Sequence, residues 1–212
     1  MRTKFIIFDL DGTLYKSEST FVPAVVKTLK DFGMPVPPRE EILPMLRFTA
    51  QGYSERLLNS KDPERIESFR KQIRSYELAD IPVSGILYPG VTETLEDLHA
   101  LGYGMAICTN AGYDYLNAVM DKTELGKYFA ETFGNDSGKP KSELVRDLLK
   151  AAGASPGECV LIGDSDSDQT AAGSHNIAFI EAAWGYGNSS ISGAEYRIQY
   201  ISELRDLLSE CL

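Results

Sequence analysis

The stretch KFIIFDLDGTLY, residues 4 to 15, constrains this chain more than any other. Phe5, Ile6, Ile7 and Phe8 form a run of four bulky apolar residues, which reads as a strand buried on both faces, as in a parallel sheet. Asp9 and Asp11 follow it, and side chains two apart in an extended segment share a face. Two like charges so placed repel unless a cation or a shared proton lies between them. An Asp-Gly turn accounts for Asp11 and Gly12 but leaves Asp9 without a reason.

Runs of the same kind recur. Buried parallel-type strands are expected at 4–10, 103–109, 159–163 and 177–181, with a weaker one at 196–201. Between the later ones lie helical patterns such as KSELVRDLLKAAG, where Leu144, Leu148 and Leu149 share an apolar face and Gly153 is placed to end the helix. Alternating strand and helix implies an α/β fold with a doubly wound parallel sheet. Residues 16–84 break that alternation, because they hold only helical stretches punctuated by prolines, among them those at 35, 37, 38, 44, 63 and 82. The clearest is DPERIESFRKQIRSYEL, with Ile66, Phe69, Ile73 and Tyr76 on one face. The chain therefore divides into a core, 1–15 with 85–212, and a small all-helical domain inserted after the first strand, 16–84.

A net charge of -10 argues against a nucleic-acid partner, which calls for a basic footprint, and requires any phosphorylated ligand to be attracted locally. Cys108 and Cys159 lie inside apolar runs, where cysteine behaves as a small buried hydrophobe, and Cys211 is next to the last residue. That is neither a disulfide framework nor a zinc pair, so a reducing, cytoplasmic setting is expected. The apolar run before Asp9 is too short for a signal peptide, and no stretch reaches the roughly 20 apolar residues of a membrane span.

In open parallel sheets ligands bind beyond the carboxyl ends of the strands. Asp9, Asp11 and Thr13 follow the first apolar run, Thr109 and Asn110 follow MAIC, and Asp164, Asp166 and Asp168 follow VLIG. SGKPK precedes the helix at 142. Each end carries oxygen donors, small hydroxyls or a lysine, the kinds of group that suit a phosphate and a hard cation. DSDSDQ from Asp164 is no calcium loop, since Gln169 and His175 stand where that loop needs glycine and glutamate. GNDSGKP is no P-loop, since its glycines are too close and Pro140 replaces the Ser/Thr.

The order D-L-D-G-T, C-T-N, G-K-P and G-D-S-x-S-D resembles the haloacid dehalogenase-like superfamily of phosphohydrolases, over essentially the whole chain. WGYG at 184–187 and YRIQYISEL near the end are similar to its phosphoglycolate-phosphatase and β-phosphoglucomutase-like branch. The resemblance implies a Rossmann-like core with the helical insert as a first-type cap. It further implies a Mg2+-dependent phosphatase for a small phosphorylated metabolite, phosphoglycolate-like or a sugar or nucleotide monophosphate. In that family's terms Asp9 is the nucleophile, and Asp11 is the general acid toward the leaving alcohol and then the base for water. Asp9, the Asp11 carbonyl and Asp164 hold the metal, with Asp168 orienting or joining them. Thr109, Asn110 and Lys139 grip the transferring oxygens, and Lys139 also counts as catalytic.

Arg47, Tyr53 and Arg56 of the insert are candidate substrate contacts, because caps of this family choose the leaving group. Ser142 replaces a common second proline at a position suited to a helix cap. Asp166 is expected as a solvated or capping acid, His99 and His175 in surface or capping roles, and Trp184, Gly185 and Gly187 as a packed turn. A monomer or homodimer is expected. Two other functions compete: a phosphomutase of the same fold, and a non-catalytic phosphometabolite-binding protein. The presence of Asp9, Asp11, Lys139 and Asp164 together weighs against the latter.

Overall fold

The computed structural model of the chain describes residues 4–187 and 194–210, so Cys211 lies outside the described residues. Contacts divide the chain into two units, one running to Lys16 and again from Leu87, the other Ser17–Ile86, against an insert expected over 16–84. The chain leaves and re-enters the first unit through paired backbone: Tyr15 bridges Leu87 antiparallel, and the Tyr88 N–H donates to the Leu14 carbonyl at 3.0 Å. That pairing keeps Tyr15, Leu87 and Tyr88 with the core.

The core unit is one six-stranded sheet: β1 Phe5–Phe8, β2 Gly104–Cys108, β3 Glu131–Phe133, β4 Cys159–Gly163, β5 Ala178–Ala182 and β6 Tyr196–Ile198. The spatial order is β3-β2-β1-β4-β5-β6 with every pairing parallel, a doubly wound α/β sheet as expected. β1 sits between β2 and β4, with Phe5 opposite both Gly104 and Cys159. Covered on both faces, Ile6, Ile7 and Phe8 are fully buried, which is why the run has no polar alternation.

Two differences from expectation have local causes. β3 went unforeseen because Glu-Thr-Phe is a three-residue edge strand paired only with β2, too short for an apolar run. The strand expected at 196–201 ends at Ile198, and a 3-10 turn, Ile201–Glu203, follows.

The core helices are α5 Val91–Ala100, α6 Tyr113–Thr123, α7 Lys141–Ala152, α8 Asp166–Gly173 and α9 Leu204–Glu210, following α1 to α4 of the insert. Leu144, Val145, Leu148 and Leu149 of α7 pack on Ile7, Ala106, Leu161 and Phe179 of the sheet. Gly153 ends α7 with φ +62°, a left-handed backbone that glycine adopts without strain.

The insert comprises α1 Glu18–Asp31, α2 Arg39–Ile42, a 3-10 turn Leu43–Arg47, α3 Ala50–Leu58 and α4 Pro63–Ser84, with no strand among its described residues. Asp62 starts α4 by accepting the Glu64 N–H at 3.0 Å, with Pro63 at the first helical position, where its missing N–H costs nothing. Ile66, Phe69 and Ile73 bury with Phe21, Val25 and Leu29 of α1. The expected face continues through Glu77 and Ile81, and the half-buried Tyr76 ring packs against the same cluster and sends its hydroxyl to Asp31 at 2.6 Å. No helix among the described residues is long and apolar enough to cross a membrane.

Candidate active site

The site lies in the core unit, beyond the carboxyl ends of the neighbouring strands β1 and β4. The Asp9 N–H donates to the Ile162 carbonyl at 2.8 Å, extending the ladder one residue past β1. There the chain winds into a tight turn. The amides of Thr13, Leu14 and Tyr15 all point to the Leu10 carbonyl at 3.3, 2.9 and 2.9 Å. Gly12 makes the turn possible with φ +81°, and a Cβ there would lie 2.2 Å from Asp164 Oδ2.

Because β1 ends before them, Asp9 and Asp11 part company. Asp9 joins Asp164 and Asp168, all buried, with one ligand atom from each within 4.8 Å of the others. The Asp11 carboxylate instead accepts the Tyr115 hydroxyl at 2.8 Å.

The cation among these carboxylates is Lys141. Its Nζ is 2.5 Å from Asp9 Oδ1 and also pairs with Asp168 Oδ1, and the residue is only 4% exposed. Lys139, the expected site lysine, stands outside: its side chain is 47% exposed and lies 3.9 Å from Asp147. The reason is the intervening Pro140, extended at φ -55° and ψ 142°, after which Lys141 opens α7. Lys141, Leu144, Val145 and Leu148 share one buried helical face. That i, i+3, i+4, i+7 spacing was legible in the sequence and singles out Lys141. Ser142 is correspondingly not the cap: Pro140 is, without a side-chain hydrogen bond.

Asp168 divides its oxygens. Oδ2 accepts the Ser165 N–H at 3.0 Å and its hydroxyl at 2.6 Å, a capping box that starts α8, while Oδ1 pairs with the Lys141 ammonium. Gly163 leaves room for it, since a Cβ there would fall 2.3 Å from Asp168 Cγ. Asp164 Oδ2 is held by the backbone N–H groups of Tyr186 at 2.6 Å and Gly187 at 3.2 Å. Trp184 donates its indole N–H to the Thr13 carbonyl at 3.0 Å. The WGYG turn, expected only to pack, thus clamps a site carboxylate and the loop after β1. Its signal in the sequence was its glycines: a Cβ at Gly187 would sit 1.7 Å from the Asp164 carbonyl oxygen.

Thr109 is buried after β2, and its Oγ1 accepts the Ala111 N–H at 3.1 Å. Asn110 is exposed and donates to Ser167 Oγ at 3.2 Å, which lies 2.9 Å from Ser165 Oγ. Asp166 is exposed in the first turn of α8. His175 meets the Ser142 carbonyl at 2.7 Å, and the exposed His99 ring packs edge-on to Tyr128. Arg47 and Arg56 are exposed residues of the insert, Arg56 lying over the Phe48 ring at 3.9 Å, and Tyr53 is buried there against Phe21.

The haloacid dehalogenase-like hydrolase family model matches residues 6–182. The chain belongs to this family. A phosphoglycolate phosphatase of Pseudomonas syringae pv. syringae is 30% identical, over 99% of this chain and 80% of its own. One from Vibrio parahaemolyticus is 27% identical over 97% of this chain and 96% of its own. A crystal structure from Haemophilus somnus, described as a predicted phosphoglycolate phosphatase, superposes with a TM-score of 0.86 at 26% identity, covering 98% of each chain. The chain is an enzyme of the hydrolase class.

The electrostatics test whether this hydrolase site suits a metal. Burial pushes the Asp9 carboxyl well above its usual range; Lys141 opposes this, and Asp168, Asp164 and Asp11 add to it. Burial likewise raises Asp164, to about 7, helped by Asp168 and opposed by the Tyr186 amide. Burial works against the Lys141 charge, but Asp168 and Asp9 outweigh it and hold the ammonium above its ordinary range. Burial pushes the neighbouring Cys108 thiol up to about 12, which keeps it un-ionised. Among the described residues, three buried carboxylates therefore face a single ammonium, that of Lys141. An all-oxygen donor set with surplus negative charge fits a hard divalent cation.

A pH dependence follows for the metal-free protein. A carboxyl that ionises near 7 when folded and near 3.8 otherwise binds its proton more tightly in the folded chain. That contribution favours folding below pH ~4 and is lost as pH rises through about 7. In EDTA, Asp164→Asn is therefore expected to gain stability relative to the parent as pH goes from 4 to 8, read as the difference in urea midpoints. A difference that stays constant with pH would contradict the buried-acid assignment.

Proposed function

We propose that this hydrolase is a magnesium-dependent phosphatase acting on a small phosphorylated metabolite, phosphoglycolate-like or a sugar or nucleotide monophosphate, through an aspartyl-phosphate on Asp9. The observation that carries the reading is the buried Asp9 with Lys141 at 2.5 Å and Asp164 and Asp168 within ligand reach. The names of the relatives support the phosphatase class and offer phosphoglycolate as the first substrate to try.

Lys141 holds Asp9 Oδ1, so Oδ2 is the oxygen left to attack phosphorus. The phosphorus–oxygen bond to the leaving alcohol then breaks, and Asp11 gives that alcohol its proton. In the second half Asp11 takes a proton from the water that cleaves the acyl phosphate, and Asp9 is regenerated. General acid–base assistance of this kind contributes about 10²–10⁴ in rate. Splitting the hydrolysis in two replaces one hard step by two easier ones. In this reading Lys141, the Thr109 hydroxyl and the Asn110 amide would meet the transferring oxygens. Asp9, Asp164 and Asp168, with the Asp11 carbonyl, would hold Mg2+, which supplies positive charge toward the three equatorial oxygens.

A panel of phosphate esters assayed with magnesium, with EDTA, and with magnesium restored tests this reading. Hydrolysis in magnesium, loss in EDTA and recovery on adding the metal back are expected, with phosphoglycolate among the esters cleaved. Undiminished turnover in EDTA would remove the metal from the proposal.

A further inference from the structure

Asp11 stands apart from the carboxylate cluster, and a buried phenol meets it. Tyr115 is the third residue of α6, is 3% exposed, and donates its hydroxyl to Asp11 Oδ1 at 2.8 Å. Its ring lies edge-on to Tyr15, with centroids 6.1 Å apart at 83°, and Tyr15 is itself fully buried with its N–H on the Leu10 carbonyl. The start of α6 is pinned as well, because the Tyr113 N–H donates to Asp136 Oδ1 at 3.0 Å. A tyrosine has only two side-chain torsions, so a packed ring on an anchored helix holds its hydroxyl at a fixed point. Helical spacing alone would assign Tyr115, Leu116 and Val119 to the buried face of α6, and packing would then be its whole role.

We propose that Tyr115 is a positioning residue for Asp11, directing the transferable proton to Oδ2. The proposal rests on Asp11 being the general acid and base. A phenol that donates to Oδ1 favours the carbonyl form of that oxygen, which is the better acceptor, and so directs the proton of the carboxylic acid to Oδ2. When the phosphorus–oxygen bond breaks, its electron pair passes to the leaving oxygen, which takes the Oδ2 proton. The carboxylate that remains keeps Oδ1 on the phenol and offers Oδ2 to the attacking water. Without the phenol the acid loses the donor that distinguishes Oδ1 from Oδ2, and fewer encounters present the proton on Oδ2.

The test compares leaving groups. 2,4-Dinitrophenolate departs without a proton, whereas phenolate is far more basic and needs one. For both esters kcat/KM covers the steps through leaving-group departure, so it isolates the acid function from the later attack of water. Tyr115→Phe is expected to lower kcat/KM for phenyl phosphate by about 10–100-fold, part of what a whole general acid contributes, and for 2,4-dinitrophenyl phosphate by no more than about threefold. The ratio of the two values is independent of the folded fraction, so partial misfolding cannot imitate the effect. Equal losses on both esters would mean a packing role only and overturn the proposal, as would no loss on either. Asp11→Asn, measured alongside, separates the layers. If Asp11→Asn is selective for phenyl phosphate and Tyr115→Phe is not, the tyrosine assignment fails alone; if Asp11→Asn shows no selectivity, the acid reading beneath it fails.

Discussion

Lys141→Ala is expected to abolish turnover, while Lys139→Ala leaves it within about twofold of the parent. The two lysines flank one proline, yet their surroundings differ in every respect that matters to a phosphate. Lys141 is buried, pairs with Asp9 and Asp168, and is the cation that lets those two acids coexist with Asp164. Removing one partner of a buried pair strands the remaining charge, at a cost of about 3–5 kcal/mol. Lys141→Ala should therefore lower the urea midpoint as well as activity. Lys141→Met, which keeps the unbranched stem, separates lost charge from lost packing. Lys139 makes one long contact with Asp147 at the surface, an interaction worth at most about 1 kcal/mol once water and salt screen it. The measurements are kcat, inhibition by inorganic phosphate and the urea midpoint for all three variants. Comparable losses in Lys139→Ala and Lys141→Ala would reverse the assignment of the lysine.

Asp9→Asn is expected to lower kcat by more than about 10³-fold, the scale seen when a covalent nucleophile is removed, while leaving the fold intact. The amide keeps the shape of the carboxylate and loses its attacking electron pair. In the metal-free protein the change should not destabilise. It removes a charge that burial disfavours and that Asp168, Asp164 and Asp11 repel, and Lys141 retains Asp168. Rapid quenching with labelled substrate supplies the direct check. Acid-quenched parent should carry alkali-labile phosphate, and Asp9→Asn should carry none. Turnover by Asp9→Asn at the parental rate, in protein free of contaminating phosphatase, would refute the nucleophile. Labelled phosphate retained by the variant would move the phosphoryl acceptor elsewhere.

Much of this architecture could be read along the chain because its causes are local. Four uninterrupted apolar runs mark strands covered on both faces, and helical spacing between them dictates parallel crossovers. β1, β2, β4 and β5 appear where those runs lie, in the doubly wound order that brings the ends of β1 and β4 side by side. β3 escaped because three alternating residues at an edge bury too little to leave a pattern. Asp9 and Asp164 were legible as site residues for the same local reason, since each is the first residue after a buried strand and its strand end is a ligand-facing end.

Side-chain direction is another matter. Lys139 and Lys141 are equivalent by composition and by distance from Pro140, and the turn into α7 decides which one enters the site. Helical periodicity carried that information, but only once the first residue of the helix was known. Asp11 was expected beside Asp9 on the premise that the strand ran on to residue 10. The chain turns after Phe8, around Gly12, and Asp11 meets a tyrosine more than 100 residues away in sequence. The amides of Tyr186 and Gly187 that hold Asp164 belong to a segment whose sequence shows only that its glycines admit something close. Sequence by itself determined the strands, the parallel sheet, the helical insert and the acids at the strand ends, because burial and periodicity act between near neighbours. Tertiary structure alone decided which tyrosine and which amides reach those acids. Such contacts depend on where separate crossovers deliver their side chains, and no local pattern records that.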